Sequence, residues 1–415
     1  MAPHVVIIGG GFGGLDAAKA LKNSPVRATL IDRHNYHLFQ PLLYQVATAS
    51  LSPADISSPI RWILRRQENI QVLLADATAI DPRTKQVILD RGVIQYDYLI
   101  VATGAAHGYF GHPEWTSRAP GLKTLDDALE MRRRVLLAFE AAERETDPEA
   151  QRRLLTFVII GGGPTGVELA GALGEIARHT LTQDFRAIRT ESARIILLEG
   201  GPHALATFPP SLQIAAVESL KRLGVEVRTG SMVTGVDEDG VQVGPEHIAA
   251  QTVLWAAGVA ASPLAKSLGV PLDRAGRVEA DPTLTVPGHP EIFVVGDVCS
   301  LQQDGKPLPG VAQVAKQEGA HAARNILRAI RGAPLEPFRY RDYGTMATIG
   351  RGSAVGDVFG LKVSGFFAWV FWLVLHIFWL IGFRNRIAVL SEWAWAYVTF
   401  QRRVRIITGE RVWPA

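Results

Sequence analysis

Two glycine-rich hexapeptides carry the clearest chemistry in this sequence. Gly9-Gly10-Gly11-Phe12-Gly13-Gly14 and Gly161-Gly162-Gly163-Pro164-Thr165-Gly166 both fit G-x-G-x-x-G. In that pattern the first glycine (Gly9, Gly161) makes a tight turn and the second (Gly11, Gly163) admits a pyrophosphate to the backbone. The last (Gly14, Gly166) lets a helix pack on a strand. The free N–H groups and positive dipole end of that helix then hold phosphate. An acid at the end of the next strand accepts hydrogen bonds from a ribose: Asp32 after the first loop, Glu199 after the second. The second spacing is longer because Thr180–Glu191 reads as an inserted segment. One such loop is weak evidence; two, each with its acid, point to two dinucleotides, FAD and NAD(H). Glu199 favours NADH, because its carboxylate repels the extra 2′-phosphate of NADPH and Gly200, Gly201 and Pro202 supply no arginine to offset it.

The elements needed to position these groups can be read around them. Val5–Ile8 and Phe157–Ile160 are apolar runs of the kind buried in parallel sheets, and each leads into a loop. Helical patterns follow, then strands at Ala28–Ile31 and Ile195–Leu198. Further apolar strands are expected at Tyr98–Ala102, Leu254–Gly258 and Ile292–Val295. Leu125–Glu145 reads as a polar helix and the residues around Pro148 as a linker. The expected fold is α/β, with two Rossmann-like dinucleotide-binding domains and a C-terminal helical region. Asp297, in Val295-Gly296-Asp297, is placed to accept a hydrogen bond from a flavin ribityl chain.

Together, GGGFGG at residues 9–14, Ala102-Thr103-Gly104, GGGPTG at 161–166 and Phe293-Val294-Val295-Gly296-Asp297 resemble the two-dinucleotide-binding flavoprotein reductases. The resemblance implies that the first loop, with Thr103, Gly104 and Asp297, holds FAD. It implies that the second loop, with Glu199 and Gly258, holds NAD(P)H. The FAD domain is then discontinuous, residues 1–123 and 281–345, with the NAD domain, 124–280, inserted and 346–415 as an anchoring region. Disulfide reductases and sulfide:quinone reductases need a cysteine pair beside the flavin, and this chain has one cysteine, Cys299.

Phe39-Gln40-Pro41-Leu42-Leu43-Tyr44-Gln45-Val46-Ala47, Ala312-Gln313-Val314-Ala315-Lys316-Gln317-Glu318-Gly319, Ala347-Thr348-Ile349-Gly350-Arg351 and Leu380-Ile381-Gly382-Phe383-Arg384-Asn385-Arg386 resemble, more narrowly, the type II NADH:quinone oxidoreductases. By that resemblance Gln313 and Gln317 lie along the flavin and line a pocket for ubiquinone or menaquinone. Glu168 stands near the nicotinamide. Its pKa can rise in an apolar pocket and make it a proton carrier. It can equally be a first-turn glutamate favoured by the helix dipole. A homodimer formed through the tail is also implied. The expected reaction is hydride transfer from NADH to FAD and two electrons onward to quinone, without proton pumping.

Charge is balanced, with 43 Lys and Arg against 40 Asp and Glu, which argues against nucleic acid. Hydrophobic residues at 47% allow a large core. No His/Cys/Asp metal spacing appears. The strand-like start leaves no room for a leader, so the body is expected to stay where it is made. The tail is the exception to the charge balance, with Arg384, Arg386, Arg402, Arg403, Arg405 and Arg411 against Glu392 and Glu410. Phe366–Phe383 carries no charge and as a helix would be about 27 Å long, the short end for a span. Trp369, Trp372, His376 and Trp379 share one helix face. Three arrangements fit: a monotopic anchor on the cytoplasmic face of the cell membrane, a dimer or core helix, and a true span. A soluble ferredoxin-type reductase and a flavin-bearing redox sensor are the rival functions.

Overall fold

The computed structural model describes residues 2–399, 401–402 and 404–409, and every count is of those residues. Arg403, Glu410 and Arg411 of the basic tail lie outside them. Contacts divide the chain into two compact units. One is Met1–Leu38, Ser57–Ala106 and Val259–Asp342; the other is Phe39–Ile56, His107–Gly258 and Tyr343–Ala415.

The first unit is built on a six-stranded sheet in the order Thr285–Val286, His289–Val294, Tyr98–Val101, His4–Ile8, Arg27–Asp32, Ile70–Leu74. All pairings are parallel except the first hairpin. The sheet forms because His4–Ile8 and its neighbours are Val/Ile-rich runs buried along their length, as strands covered on both faces must be. The loop strand lies between the strand that follows it and one that arrives later. That places the first loop at a topological switch point, where α/β sheets bind ligands. Helix Phe12–Ala20 leaves the loop and packs on helix Ala312–Ile330. Gly319 permits this close crossing: a Cβ there would sit 2.0 Å from the Gly13 carbonyl oxygen.

The second unit repeats the plan with four parallel strands, Val225–Arg228, Arg194–Leu198, Thr156–Ile160 and Thr252–Trp255. Its loop helix, Pro164–Glu175, is followed by a π turn at Ile176–Thr180. Here the cover is strand Thr345–Gly350 of a three-stranded antiparallel sheet, and Gly171 admits it: a Cβ would lie 2.0 Å from the Ile349 carbonyl oxygen. The linker expected at Pro148 is instead helix Pro148–Leu154. Asp147 caps it by accepting from the N–H groups of Glu149 and Ala150, and proline at the first turn costs no hydrogen bond.

The apolar tail forms two helices, Gly365–Trp379 and Phe383–Thr399, where one continuous helix over 366–383 was expected. Leu380 turns extended and Gly382 takes φ +93°. Arg386 then caps the broken end, its Nε donating to the Leu380 carbonyl and its Nη2 to that of Phe378, both at 2.8 Å. The first helix has 15 residues, about 22 Å of rise against an apolar bilayer core of about 30 Å. Among the described residues no helix is long and apolar enough to cross a membrane.

The tryptophan stripe turns inward only in part: Trp372 is buried and stacks on His376, while Trp379 at the helix end is exposed. The outward face is Phe367, Val370, Phe371, Val374 and Phe378. Arg402 does not join a basic surface either. It is buried, donating to Glu175 Oε2 and to the Thr48 carbonyl, each at 2.8 Å. Arg405 pairs with Asp184.

Candidate functional site: two dinucleotide loops and an aromatic cavity

In the first loop Gly9 takes φ +104°, and its N–H donates to the Ile31 carbonyl at 2.7 Å. A side chain is impossible at either end of the loop. A Cβ on Gly9 would lie 2.3 Å from the Ala102 carbonyl oxygen, and one on Gly14 would lie 1.8 Å from that of Gly9. A Cβ on Gly11 would meet nothing within 4 Å, so that side of its backbone is open to a phosphate. Gly13 packs on Val295 and Ala315. The Gly10 N–H donates to Asp32 Oδ2 at 2.5 Å and the His34 N–H to Oδ1 at 2.7 Å. These bonds fix the carboxylate and leave lone pairs for a ribose.

Thr103, Gly104, Asp297, Gln313 and Gln317 fall in the same compact unit. Thr103 Oγ1 is buried with no partner among the described residues. Gly104 is left-handed at φ +65°. Asp297 lies in the short turn Gly296–Val298. Gln313 and Gln317 open helix Ala312–Ile330. Gln317 is engaged with backbone: its Nε2 donates to the Arg341 carbonyl at 2.9 Å and its Oε1 accepts the Arg341 N–H at 3.0 Å. Gln313 Oε1 accepts from the Tyr340 hydroxyl at 3.5 Å.

Glu318 on this helix was in view in the sequence only as part of a resembling segment, with no role assigned. Its buried carboxyl accepts the Gly296 N–H at 2.6 Å. Burial pushes its pKa up to about 8, the Gly296 N–H offsets part of that rise, and the nearby Asp297 adds to it. Cys299 is also buried, and burial raises its thiol well above the usual range.

The second loop copies the first closely. Gly161 takes φ +109° and its N–H donates to the Leu198 carbonyl at 2.7 Å. A Cβ on Gly166 would lie 1.8 Å from the Gly161 carbonyl oxygen, and one on Gly163 would meet nothing within 4 Å. Glu199 is held by the Gly162 and Gly201 N–H groups, each at 2.6 Å. Gly258, at φ +73°, packs against Phe110 and the Gly108 carbonyl. Both cradles fit a dinucleotide: open backbone at the middle glycine, a tight turn before it and an oriented acid beside it. Among the described residues no cluster of His, Cys, Asp or Glu could hold a metal ion.

Glu168 lies one turn into the second loop helix and lines a cavity of about 110 Å³ in the second unit. Burial pushes its pKa up to about 8, partly offset by the Thr348 backbone N–H. The residue is half-buried and borders this cavity. Trp369, Trp372, Trp393 and Tyr397 from the two tail helices give the cavity flat apolar walls. Tyr44, Gln45, Glu175 and Arg402 supply its polar side. Tyr44 and Gln45 were in view in the sequence only as part of a resembling segment, and Arg402 only as one of a basic run. Nothing in the spacing of residues 44, 168 and 402 signals that they meet.

Two parallel sheets, each carrying a glycine loop at its switch point, define an α/β oxidoreductase that uses two dinucleotides. Comparison with known proteins agrees. Residues 3–319 match the pyridine nucleotide-disulphide oxidoreductase family. The type II NADH:quinone oxidoreductase NdhA of Mycobacterium tuberculosis is 47% identical over 428 residues, covering 99% of this chain and 90% of that one. Ndh of the same organism, also a type II NADH:quinone oxidoreductase, is 46% identical over 424 residues, covering 98% and 91%. The structure of NDH2 from Plasmodium falciparum in complex with NADH shares the fold, with a TM-score of 0.89 over 99% of this chain and 100% of that one at 20% identity. The chain belongs to the pyridine nucleotide-disulphide oxidoreductase family and, within it, to the type II NADH:quinone oxidoreductases. With Cys299 alone it has no dithiol for the chemistry in the wider family's name.

Proposed function

We propose that this enzyme oxidises NADH and reduces a membrane quinone, with residues 1–123 and 281–345 holding FAD, 124–280 holding NADH and 346–415 serving as the anchor. FAD supplies the two-electron chemistry, accepting hydride from NADH and passing electrons on. The chain's own part is binding and electrostatics. Backbone N–H groups around Gly11 and Gly163 take the two pyrophosphates, and Asp32 and Glu199 take the riboses. Asp297 takes the ribityl chain. Glu199 disfavours NADPH through charge repulsion. Glu168 holds a proton on its carboxyl at neutral pH, since its pKa is pushed up to about 8. Quinone reduction consumes two protons, so a neutral carboxyl at the cavity is a reasonable store.

The observation that carries the quinone reading is the cavity itself. Flat aromatic walls from the tail helices meet a protonated glutamate from the nucleotide-loop helix. A planar, apolar ring with two carbonyls suits such a site. Gln313 and Gln317 remain proposed flavin and quinone contacts; the pairing of Gln317 with Arg341 would have to open for its amide to reach a ligand.

The tail's exposed Phe367, Val370, Phe371, Val374 and Phe378, beside exposed Phe383 and Arg384, form the face proposed to lie on the cytoplasmic side of the bilayer. The proposed homodimer uses the same C-terminal region. The test is steady-state NADH oxidation by the FAD-loaded protein with a short-chain quinone, with ferricyanide as control. Quinone turnover that falls in Glu168→Gln while ferricyanide reduction survives supports the reading. Rapid flavin reduction by NADH with no quinone turnover sinks it.

A further inference from the structure

The polar side of the cavity contains a hydrogen-bond chain whose direction is forced. It starts at Trp393 on helix Phe383–Thr399, whose indole Nε1 lies 2.7 Å from Gln45 Oε1. An indole N–H only donates, so the amide oxygen of Gln45 must face it. The Gln45 Nε2 therefore faces the other way and donates to the Tyr44 hydroxyl oxygen at 2.8 Å. Tyr44 is thus an acceptor in this bond, and its own proton must point elsewhere. Among the described residues no group accepts that proton. Tyr44 is 7% exposed, and what it faces is the cavity it lines with Glu168 and Arg402. A buried O–H left without a partner is costly, so the arrangement is completed by a ligand that accepts.

We propose that Tyr44 donates its hydroxyl proton as a hydrogen bond to a quinone carbonyl in this cavity, and that Gln45 and Trp393 are positioning residues that aim it. The proposal rests on the quinone reading and names a contact within it. The phenol keeps its proton throughout. Burial raises its pKa well above the usual range, and the nearby carboxyl of Glu168 raises it further. A quinone carbonyl is an acceptor only, which matches a donor that cannot ionise. The stacked pair Trp369–Tyr397 and the tilted pair Trp372–Trp393, with ring centroids 5.4 and 5.6 Å apart, wall the slot for the ring with aromatic faces. Because Trp393 belongs to the last helix, the aim of the donor depends on that helix being docked.

The test uses full-length, FAD-loaded protein with a short-chain quinone, and separately with ferricyanide. Tyr44→Phe should raise the quinone KM about tenfold, the scale of one lost hydrogen bond, with ferricyanide reduction unchanged. Trp393→Phe frees the Gln45 amide to flip and lets Tyr44 turn its proton back; the quinone KM should rise about threefold. In the double variant the Trp393 effect should vanish, because no hydroxyl remains to aim. If Trp393→Phe loses flavin or melts early, Gln45→Glu assayed at pH 9 reads the same link, since a carboxylate only accepts and draws the Tyr44 proton toward itself. A quinone KM within twofold of wild type in Tyr44→Phe overturns the proposal and leaves the quinone reading standing. Independent effects in the double variant overturn the positioning role of Trp393. No quinone turnover by the wild-type protein overturns both readings.

Discussion

The two glycine loops share their geometry down to a 2.7 Å anchoring hydrogen bond and the same forbidden Cβ positions, yet their helices are covered differently. The first loop's helix is pinned at its opening turn, where Gly13 meets Gly319 of another helix. The second is crossed further along, at Gly171, by a strand edge that also reaches Glu168 through the Thr348 N–H. The proposed assignment puts a cofactor that stays, FAD, at the first loop and a substrate that exchanges, NADH, at the second. The second helix also presents Glu168, Ala172 and Glu175 to the cavity, so in the proposed function one element serves both nucleotide and acceptor. A shared loop design therefore says what kind of ligand binds, and the covering element decides what the loop's helix does next.

The largest expected effect tests the likeness. Gly14→Ala and Gly166→Ala each place a Cβ 1.8 Å from a carbonyl oxygen. Overpacking of about 3 kcal/mol should weaken the respective nucleotide about 100-fold. Gly14→Ala should purify without flavin absorbance, whereas Gly166→Ala should keep its flavin and show a raised NADH KM. Loss of flavin in both would break the assignment of the loops.

The covers should separate next. Gly319→Ala and Gly171→Ala each meet a backbone oxygen at 2.0 Å and should each cost about 1–3 kcal/mol by thermal or urea unfolding. Only Gly319→Ala should also speed FAD release, measured by flavin fluorescence.

A pH effect sharpens the comparison further. Glu168 and Glu318, one behind each loop, both have pKa values raised from 4.5 to about 8. Each binds its proton more tightly folded than unfolded. Its contribution to stability is therefore full below about 4.5 and is lost as pH rises through about 8. The loss is at most about 1.4 kcal/mol per pH unit for each carboxyl in that window. Urea titrations from pH 5 to 8 should flatten with Glu168→Gln and again with Glu318→Gln; an unchanged slope in either would show that its carboxyl is ionised in the fold.

The smallest effect concerns nucleotide choice. Glu199→Gln keeps an acceptor for one of the Gly162 and Gly201 N–H groups, turns its NH2 toward the other, and removes the charge. NADH preference over NADPH should fall about tenfold, read as the ratio of kcat/KM values, with FAD content untouched.

Local pattern was enough for the paired strand–loop–helix units and their acids. Val/Ile runs, glycine spacing and a carboxylate at the strand end are consequences of short-range sterics and hydrogen bonding, which neighbouring residues dictate. The same kind of reading failed at Pro148, where Asp147 and proline together start a helix, and at the tail. There, hydropathy measured how apolar Phe366–Phe383 is but not which side of it would be buried. That side was chosen by what packs against it. Trp372 stacks on His376 inside the unit, and the phenylalanines and valines are left outside. Arg402 shows the same limit. Counted in sequence it was one positive charge in a basic run, but opposite Glu175 it became a buried partner. By itself, then, the sequence determined that two dinucleotides bind and which loop glycines and strand-end acids are proposed to hold them, because each loop with its acid is assembled within one βαβ unit. Tertiary structure alone decided that Tyr44, Glu168, Trp393 and Arg402 line one cavity. Their separation along the chain carries no periodicity, and only packing brings them together.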